Sequence, residues 1–174
     1  MKKLISSIIA IVFALNVSAY AEEKLTIEKQ LVGIVGAISG TVKTETRELK
    51  AGDKIYLNET IYAGVGAGTQ ILLLDQSTFT IGEDSEVVMD TFVFDPETND
   101  GKIVASVKQG SLKVISGLIS KKNPDSLTVE VPEGTLGSRG TEFQTIVSKG
   151  KTDTLLIGPG KNNTLGMRPG AVLV

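Results

Sequence analysis

A chain of 174 residues without a single histidine or cysteine has only its carboxylates for acid–base chemistry. Serine–histidine triads, cysteine–histidine pairs and histidine-ligated zinc or iron sites all require a residue that is missing here. The tightest acidic group is Glu83, Asp84 and Glu86, just after Gly82. A glycoside-cleaving pair needs two carboxyls held at a defined separation across a cleft. Adjacent strand residues point to opposite faces, so these three read as a solvated loop. A carboxylate-based hydrolase is therefore only a third reading of function, and no catalytic residue is assigned.

Three further stretches resemble binding loops in spelling. Asp95-Pro96-Glu97-Thr98-Asn99-Asp100-Gly101 is rich in oxygen ligands. An EF-hand loop wants glycine at position 6 and a bidentate glutamate at 12, whereas glycine falls at 7 here and position 12 is Ser106. A polar hairpin turn between strands ending at Phe94 and starting at Lys102 is the expected structure. A calcium site of another type, completed by outside residues, stays open. Gly64-Val65-Gly66-Ala67-Gly68 precedes an apolar strand and lacks the Gly-Lys-Ser/Thr of a phosphate loop, so it is expected to be a turn. Arg139-Gly140-Thr141 lacks the carboxylate of an integrin-type Arg-Gly-Asp. No metal or cofactor residue is assigned, and no cofactor is expected.

The elements that must carry these residues are strands. Ile103, Ala105 and Val107 alternate with Lys102, Ser106 and Lys108, and Leu127, Val129 and Val131 alternate with Thr128 and Glu130. Such period-two runs describe half-buried strands with one solvated face. Thr69 to Asp75 is more continuously apolar and is expected to sit between other elements, and Glu86 to Phe94 is another strand. Turns are expected at Gly52-Asp53, Asp100-Gly101, Gln109-Gly110, Asn123-Pro124 and Pro159-Gly160. Between Gly110 and Lys122, Leu112, Ile115, Leu118 and Ile119 have near-helical spacing, but Gly117 costs a helix about 1 kcal/mol relative to alanine. A strand followed by one helical turn is expected. The fold class is all-β, a single domain of short twisted strands, solenoid-like or sandwich-like, with at most one short helical turn. Two faint echoes, Thr80-Ile81-Gly82 with Thr135-Leu136-Gly137 and Leu49-Lys50-Ala51-Gly52 with Met167-Arg168-Pro169-Gly170, favour stacked layers.

Residues 1–21 read as a signal peptide: Lys2 and Lys3, an apolar run from Leu4 to Val17, and Ala19-Tyr20-Ala21 as the cleavage site. The run is short of the ~20 residues that cross a bilayer as a helix, so cleavage after Ala21 is expected and an uncleaved anchor is the alternative. Without cysteine, no lipid-bearing cysteine follows the signal. Removing the segment removes Lys2 and Lys3, leaving 16 Lys and Arg against 20 Asp and Glu, a net charge of −4. The charges are interspersed and make no basic stripe, so neither nucleic acid nor an acidic membrane surface is expected as a partner. Aromatic content of 5% with no tryptophan argues against a stacking groove for bases or sugars.

The most informative segment is Thr135-Leu136-Gly137-Ser138-Arg139-Gly140-Thr141-Glu142-Phe143. Two glycines three apart, an arginine between them and an aromatic just after read as a sharp corner leading into a strand. Gly140 is expected to supply positive φ, and Arg139 to donate to carbonyls exposed by the turn. The segment resembles the Arg-Gly-Thr-aromatic signature of FecR-like domains. The resemblance extends upstream through Gly33 to Val42, Leu49-Lys50-Ala51-Gly52-Asp53, Thr60-Ile61-Tyr62-Ala63-Gly64 and Leu72-Leu73-Leu74-Asp75-Gln76-Ser77. In the last of these Gln76 replaces the usual glycine. The residues it singles out as the structural motif are Gly137, Arg139, Gly140, Thr141 and Phe143.

The resemblance implies a lead-in over residues 22–30 and a FecR-like β-domain over 31–174. In the family's signalling members a periplasmic β-domain relays occupancy of an outer-membrane receptor to a cytoplasmic sigma-factor regulator. Only the β-domain is expected here, without a cytoplasmic anti-sigma region, a membrane span or a C-terminal receptor-contacting βαβ module. The expected function is a non-catalytic, exported interaction, sensing or scaffold module of the bacterial cell envelope. Its location would be periplasmic or secreted, with no stable membrane anchor after cleavage and an envelope protein as partner. The alternative is a structural or adhesive envelope component that self-associates through strand edges. Ala171-Val172-Leu173-Val174 favours it, because an apolar terminal strand must be covered or paired.

Overall fold

The structure, a computed structural model, describes residues 29–139, 141–158 and 171–173. The expected signal segment 1–21, the lead-in through residue 28, Gly140, Pro159-Gly160 and the Met167–Gly170 echo lie outside the described residues. The end of the lead-in is tied down: the Gln30 carbonyl accepts from the Leu57 N–H and its side chain donates to the Phe92 carbonyl.

Among the described residues all strands join one 13-stranded hydrogen-bonded network that folds about its longest member, β8 (Gly101–Ile115). The C-terminal part of β8 sits in a first arm with β1 (Leu31–Ser39), β3 (Lys54–Tyr56), β5 (Gly68–Leu73), β6 (Thr78–Ile81), β11 (Glu142–Ser148) and β12 (Lys151–Gly158). The order there is β3-β1-β5-β6-β8-β11-β12, antiparallel throughout. The N-terminal part of β8 sits in a second arm with β2 (Val42–Lys43), β4 (Thr60–Ala63), β7 (Ser85–Phe94), β9 (Leu127–Val131), β10 (Gly134–Arg139) and β13 (Ala171–Leu173). The order there is β2-β4-β7-β8-β9-β10-β13, with β8 and β9 the one parallel pair.

Gln109-Gly110 is where β8 passes between arms, and the turn expected there is instead a corner inside a single strand. Gly110 has φ +84°, and a Cβ on it would lie 2.4 Å from Ser85 Cα. The corner shifts the inward-facing positions by one. Ile103, Ala105 and Val107 face the core before it, Leu112 and Val114 after it. One continuous core takes Ile71, Phe79, Leu112 and Phe143 from the first arm and Ile61, Met89, Ile103 and Leu127 from the second. The domain is all-β and sandwich-like. Its echoed tripeptides fall on β6 in one arm and β10 in the other, so they are not successive layers of a stack.

The strand expected to end near Phe94 does so, and Asp95–Asp100 is a hairpin turn. The Asp95 carboxylate accepts the Glu97 N–H at 2.9 Å and the Thr98 hydroxyl at 2.8 Å. β5 does sit between β1 and β6, but Leu72 and Leu74 are exposed on its outer side. After β8 comes the single helical turn α1 (Leu118–Lys122), with Gly117 before it, then a 3-10 turn at Pro124–Ser126.

Candidate functional site at the junction of the arms

The signature lies where the chain crosses from the second arm, at β10, back to the first, at β11. Gly137, Ser138 and Arg139 end β10, Thr141 follows, and Phe143 lies on β11. Phe143 is fully buried, in register between Val114 and Leu156. Its aromatic bulk anchors β11 in the core immediately after the crossing. Leu136 and Ser138 point inward and Arg139 outward, as alternation along β10 requires.

Thr141 and Ser138 meet Ser116, just past the end of β8. The Ser116 hydroxyl donates to the Thr141 carbonyl at 2.8 Å and lies 3.1 Å from the Ser138 hydroxyl, while the Ser116 N–H donates to the same carbonyl at 3.2 Å. The Ser120 hydroxyl donates to the Ser138 carbonyl at 3.3 Å, and the Thr141 hydroxyl donates to the Gly158 carbonyl at 2.6 Å. Ser116, Ser120, Ser138 and Thr141 are all buried.

On the other side of the same linker, Gly117 receives the β5–β6 turn. The Asp75 carboxylate accepts the Ser77 N–H at 3.0 Å, the Ser77 hydroxyl at 2.8 Å and the Ile119 N–H at 3.4 Å. The Ser77 hydroxyl in turn accepts the Gly117 N–H at 2.9 Å, and the Asp75 carbonyl accepts the Leu118 N–H at 2.8 Å. A Cβ on Gly117 would lie 2.3 Å from both the Asp75 carbonyl oxygen and the Ser77 nitrogen, so no larger residue fits without displacing backbone. Gln76, where the resemblance expects glycine, has φ +67°. The turn needs the left-handed conformation, and glutamine adopts it at a steric cost.

Two motifs some sixty positions apart in the chain are thus docked on adjacent linker residues. A hydroxyl donating to a carboxylate, as Ser77 does to Asp75, is the arrangement that activates a nucleophile. Here both residues are 0% exposed, so no substrate reaches them. Among the described residues no buried side-chain nitrogen or oxygen lacks a hydrogen-bond partner. The arrangement closes a fold by satisfying every buried polar group it contains.

Arg139 lies on the outward side of β10. Among the described residues its guanidinium Nε donates to the Asp125 carboxylate at 2.9 Å, and its side chain is 49% exposed. Asp125 belongs to the 3-10 turn, so this pair ties β10 to the segment that follows α1. The angle expected of Gly140 lies outside the described residues.

The acidic candidates are dispersed. Glu83 accepts the Gly66 N–H at 2.8 Å and so fastens the Gly64–Gly68 turn, and Asp84 has φ +49° in its own turn. In the β7–β8 hairpin, the hydroxyl of Thr98 and the N–H of Glu97 hold the Asp95 carboxyl below the usual aspartate range. Lys122 and then Asn123 do the same for Asp100. Sequence reasoning missed Glu59, the other buried acid, which accepts both terminal nitrogens of Arg47 at 3.1 Å and the Tyr56 N–H at 3.1 Å. Nothing in Leu57-Asn58-Glu59-Thr60 marks it as buried, and only the chain path beside Arg47 does so. An open depression of about 380 Å³ lies beside this clamp, lined by both charge signs, including Lys43, Arg47, Glu45 and Glu48, with Tyr62.

The outer faces of the arms differ. Ile34, Leu72, Ile115, Ile146 and Leu155 are exposed on the first. On the second, the outward residues of β7, β8 and β9 include Glu86, Asp90, Lys102 and Glu130, with Val93 exposed among them and Leu173 exposed on β13.

Residues 59–157 match the family described as FecR protein. The matched span holds Thr60–Gly64, Leu72–Ser77 and the signature, whereas Gly33–Val42 and Leu49–Asp53 precede it. No curated protein and no solved structure matches the chain. No helix among the described residues is long and apolar enough to cross a membrane.

Proposed function

We propose, from the premise that this chain belongs to the FecR protein family, that it is a non-catalytic interaction module of the bacterial cell envelope. It would be exported by a cleavable signal and would sense or scaffold by contact with an envelope protein. One observation carries this reading. The buried carboxylate and hydroxyls of two family motifs, from Asp75, Ser77, Ser138 and Thr141, are hydrogen-bonded at the linker where the arms meet. Recognition is then left to the surface, and the apolar outer face of the first arm is the part of it suited to a protein partner.

A photo-reactive residue placed at Ile34, Leu72 or Ile146 in living cells tests this, with Glu86 and Glu130 on the second arm as comparison positions. The expected result is one defined envelope protein cross-linked from the first-arm positions alone. Equal labelling from both arms would count against a dedicated face. Hydrolytic turnover lost on changing a single acid would replace this reading by the enzymatic one.

A further inference from the structure

On the outer face of the second arm, Val104, Thr128, Gly137 and Leu173 stand in one row across β8, β9, β10 and β13, and no bulge interrupts the pairing of these four strands. The row itself is uncharged, and the charges on either side of it along β8 are opposite. Two residues after Val104, the buried Ser106 hydroxyl lies 2.6 Å from an Asp90 carboxylate oxygen and 3.4 Å from one of Glu130. Its one proton goes to Asp90, the nearer, and exposed Glu130 makes no ion pair among the described residues. Two residues before Val104, exposed Lys102 also makes no ion pair or side-chain hydrogen bond among the described residues. Four residues of strand, about 13 Å, hold the acids and the lysine apart, so the chain cannot pair them with each other.

Gly137 sits in the same row without a reason inside the chain. Its φ is not positive, its ladders are regular, and a Cβ on it would meet only the Leu173 Cβ at 3.8 Å. Glycine weakens a strand interior, and where neither a bulge nor a bend calls for it, it marks a place where another backbone comes close.

We infer that this face is a homodimer interface, two copies packing sheet to sheet about a two-fold axis that runs along the row from Val104 to Leu173. What selects a second copy is that the face is complementary to itself. Rotation about that axis lays the second copy's Ser106, with its Asp90 and Glu130, over Lys102, and by symmetry does so twice. Gly137 meets its own equivalent on the axis, where two missing side chains let the backbones approach, and the exposed Leu173 is covered by its equivalent. The inference goes beyond the proposed function. With the second arms joined, the outer faces of the two first arms point away from each other, and the dimer presents both of them.

The test is sedimentation of the purified chain over a concentration series. A monomer–dimer equilibrium is expected, and it should weaken as salt is raised. Lys102→Glu sets like charges against each other at two places and should weaken dimerisation about tenfold or more. Adding Glu130→Lys to that variant restores an opposite charge across the axis and should tighten the dimer again. Ile34→Lys, on the outer face of the first arm, should leave dimerisation unchanged. In cells, a photo-reactive residue at Glu130 should capture a second copy of this chain and no envelope protein.

A monomer at every concentration overturns the inference. So does a dimer that Lys102→Glu leaves intact, or a double variant that dimerises no more tightly than Lys102→Glu alone. An envelope protein cross-linked through the first arm of a strictly monomeric chain would preserve the proposed function while removing this interface.

Discussion

The Ser116–Gly117 junction and the β12 edge reverse the usual distribution of polar and apolar groups. At the junction a carboxylate, several hydroxyls and backbone amides are packed out of reach of water, each with a partner. At the edge, three large aliphatic side chains lie in solvent on a strand with one free side among the described residues. The difference separates two kinds of information in the chain. Two of the motifs that carry the family resemblance, Leu72–Ser77 and the signature, converge on the junction and describe how the arms are joined. The edge carries no motif.

The sharpest way to break this contrast is to remove the carboxylate at its centre. Asp75→Ala leaves the Ser77 amide and hydroxyl and the Ile119 amide without their acceptor in a dry site. A loss of about 3 kcal/mol or more is expected, since each buried donor left without an acceptor costs about 1–3 kcal/mol. Urea unfolding checks it, through a fall in midpoint at constant slope. A loss below about 1 kcal/mol would mean that water reaches the site and that it is not closed.

Gln76→Gly sharpens the contrast in the opposite direction. The residue holds φ +67° with a side chain that disfavours it. Glycine removes that steric cost of roughly 1–2 kcal/mol but adds freedom to the unfolded chain, so a net gain of about 1 kcal/mol or less is expected. Thermal unfolding of the single variant measures it, and destabilisation would show that the glutamine side chain contributes a contact of its own.

The smallest effect is expected at the most recognisable residue. Arg139→Ala removes an exposed pair with Asp125, worth about 0–1 kcal/mol. Equilibrium unfolding again decides. A loss of several kcal/mol would return Arg139 to the buried role that the signature suggested, and would move the boundary of the junction outward to include it.

Much of the framework was legible because it follows from local chemistry. The alternation of Ile103, Ala105 and Val107 specified one face of β8, Asp95-Pro96 ended β7, and Gly117 kept the helix to one turn. The corner in β8 was not legible, because Gln109-Gly110 has the composition of a turn whether the chain reverses or merely bends. Which of these happens depends on Ser85, which is distant in sequence and leaves no room for a side chain at Gly110. The candidate site was visible only in parts. Asp75-Gln76-Ser77 and Arg139-Gly140-Thr141 each suggested a local turn, and their meeting at Ser116 and Gly117 is a tertiary fact. The Arg139–Asp125 pair has the same origin, since Asp125 comes from a turn packed beside β10 that no pattern in the signature announces.

One strand shared by both arms also sets the order in which the chain can be completed. When residues emerge from the N-terminus first, β6 in one arm and β7 in the other are finished before β8 exists. Each then presents an unpaired edge that only Gly101–Ile115 can cover. The β7–β8 hairpin forms quickly because its strands are joined by a short turn, and it delivers the same fifteen residues to the waiting edge of β6. Neither arm can therefore serve as a folding intermediate on its own. Even then β8 keeps an open side in each arm until β9 and β11 follow, so the exposed edges pass along the chain and close only when its C-terminal strands are made.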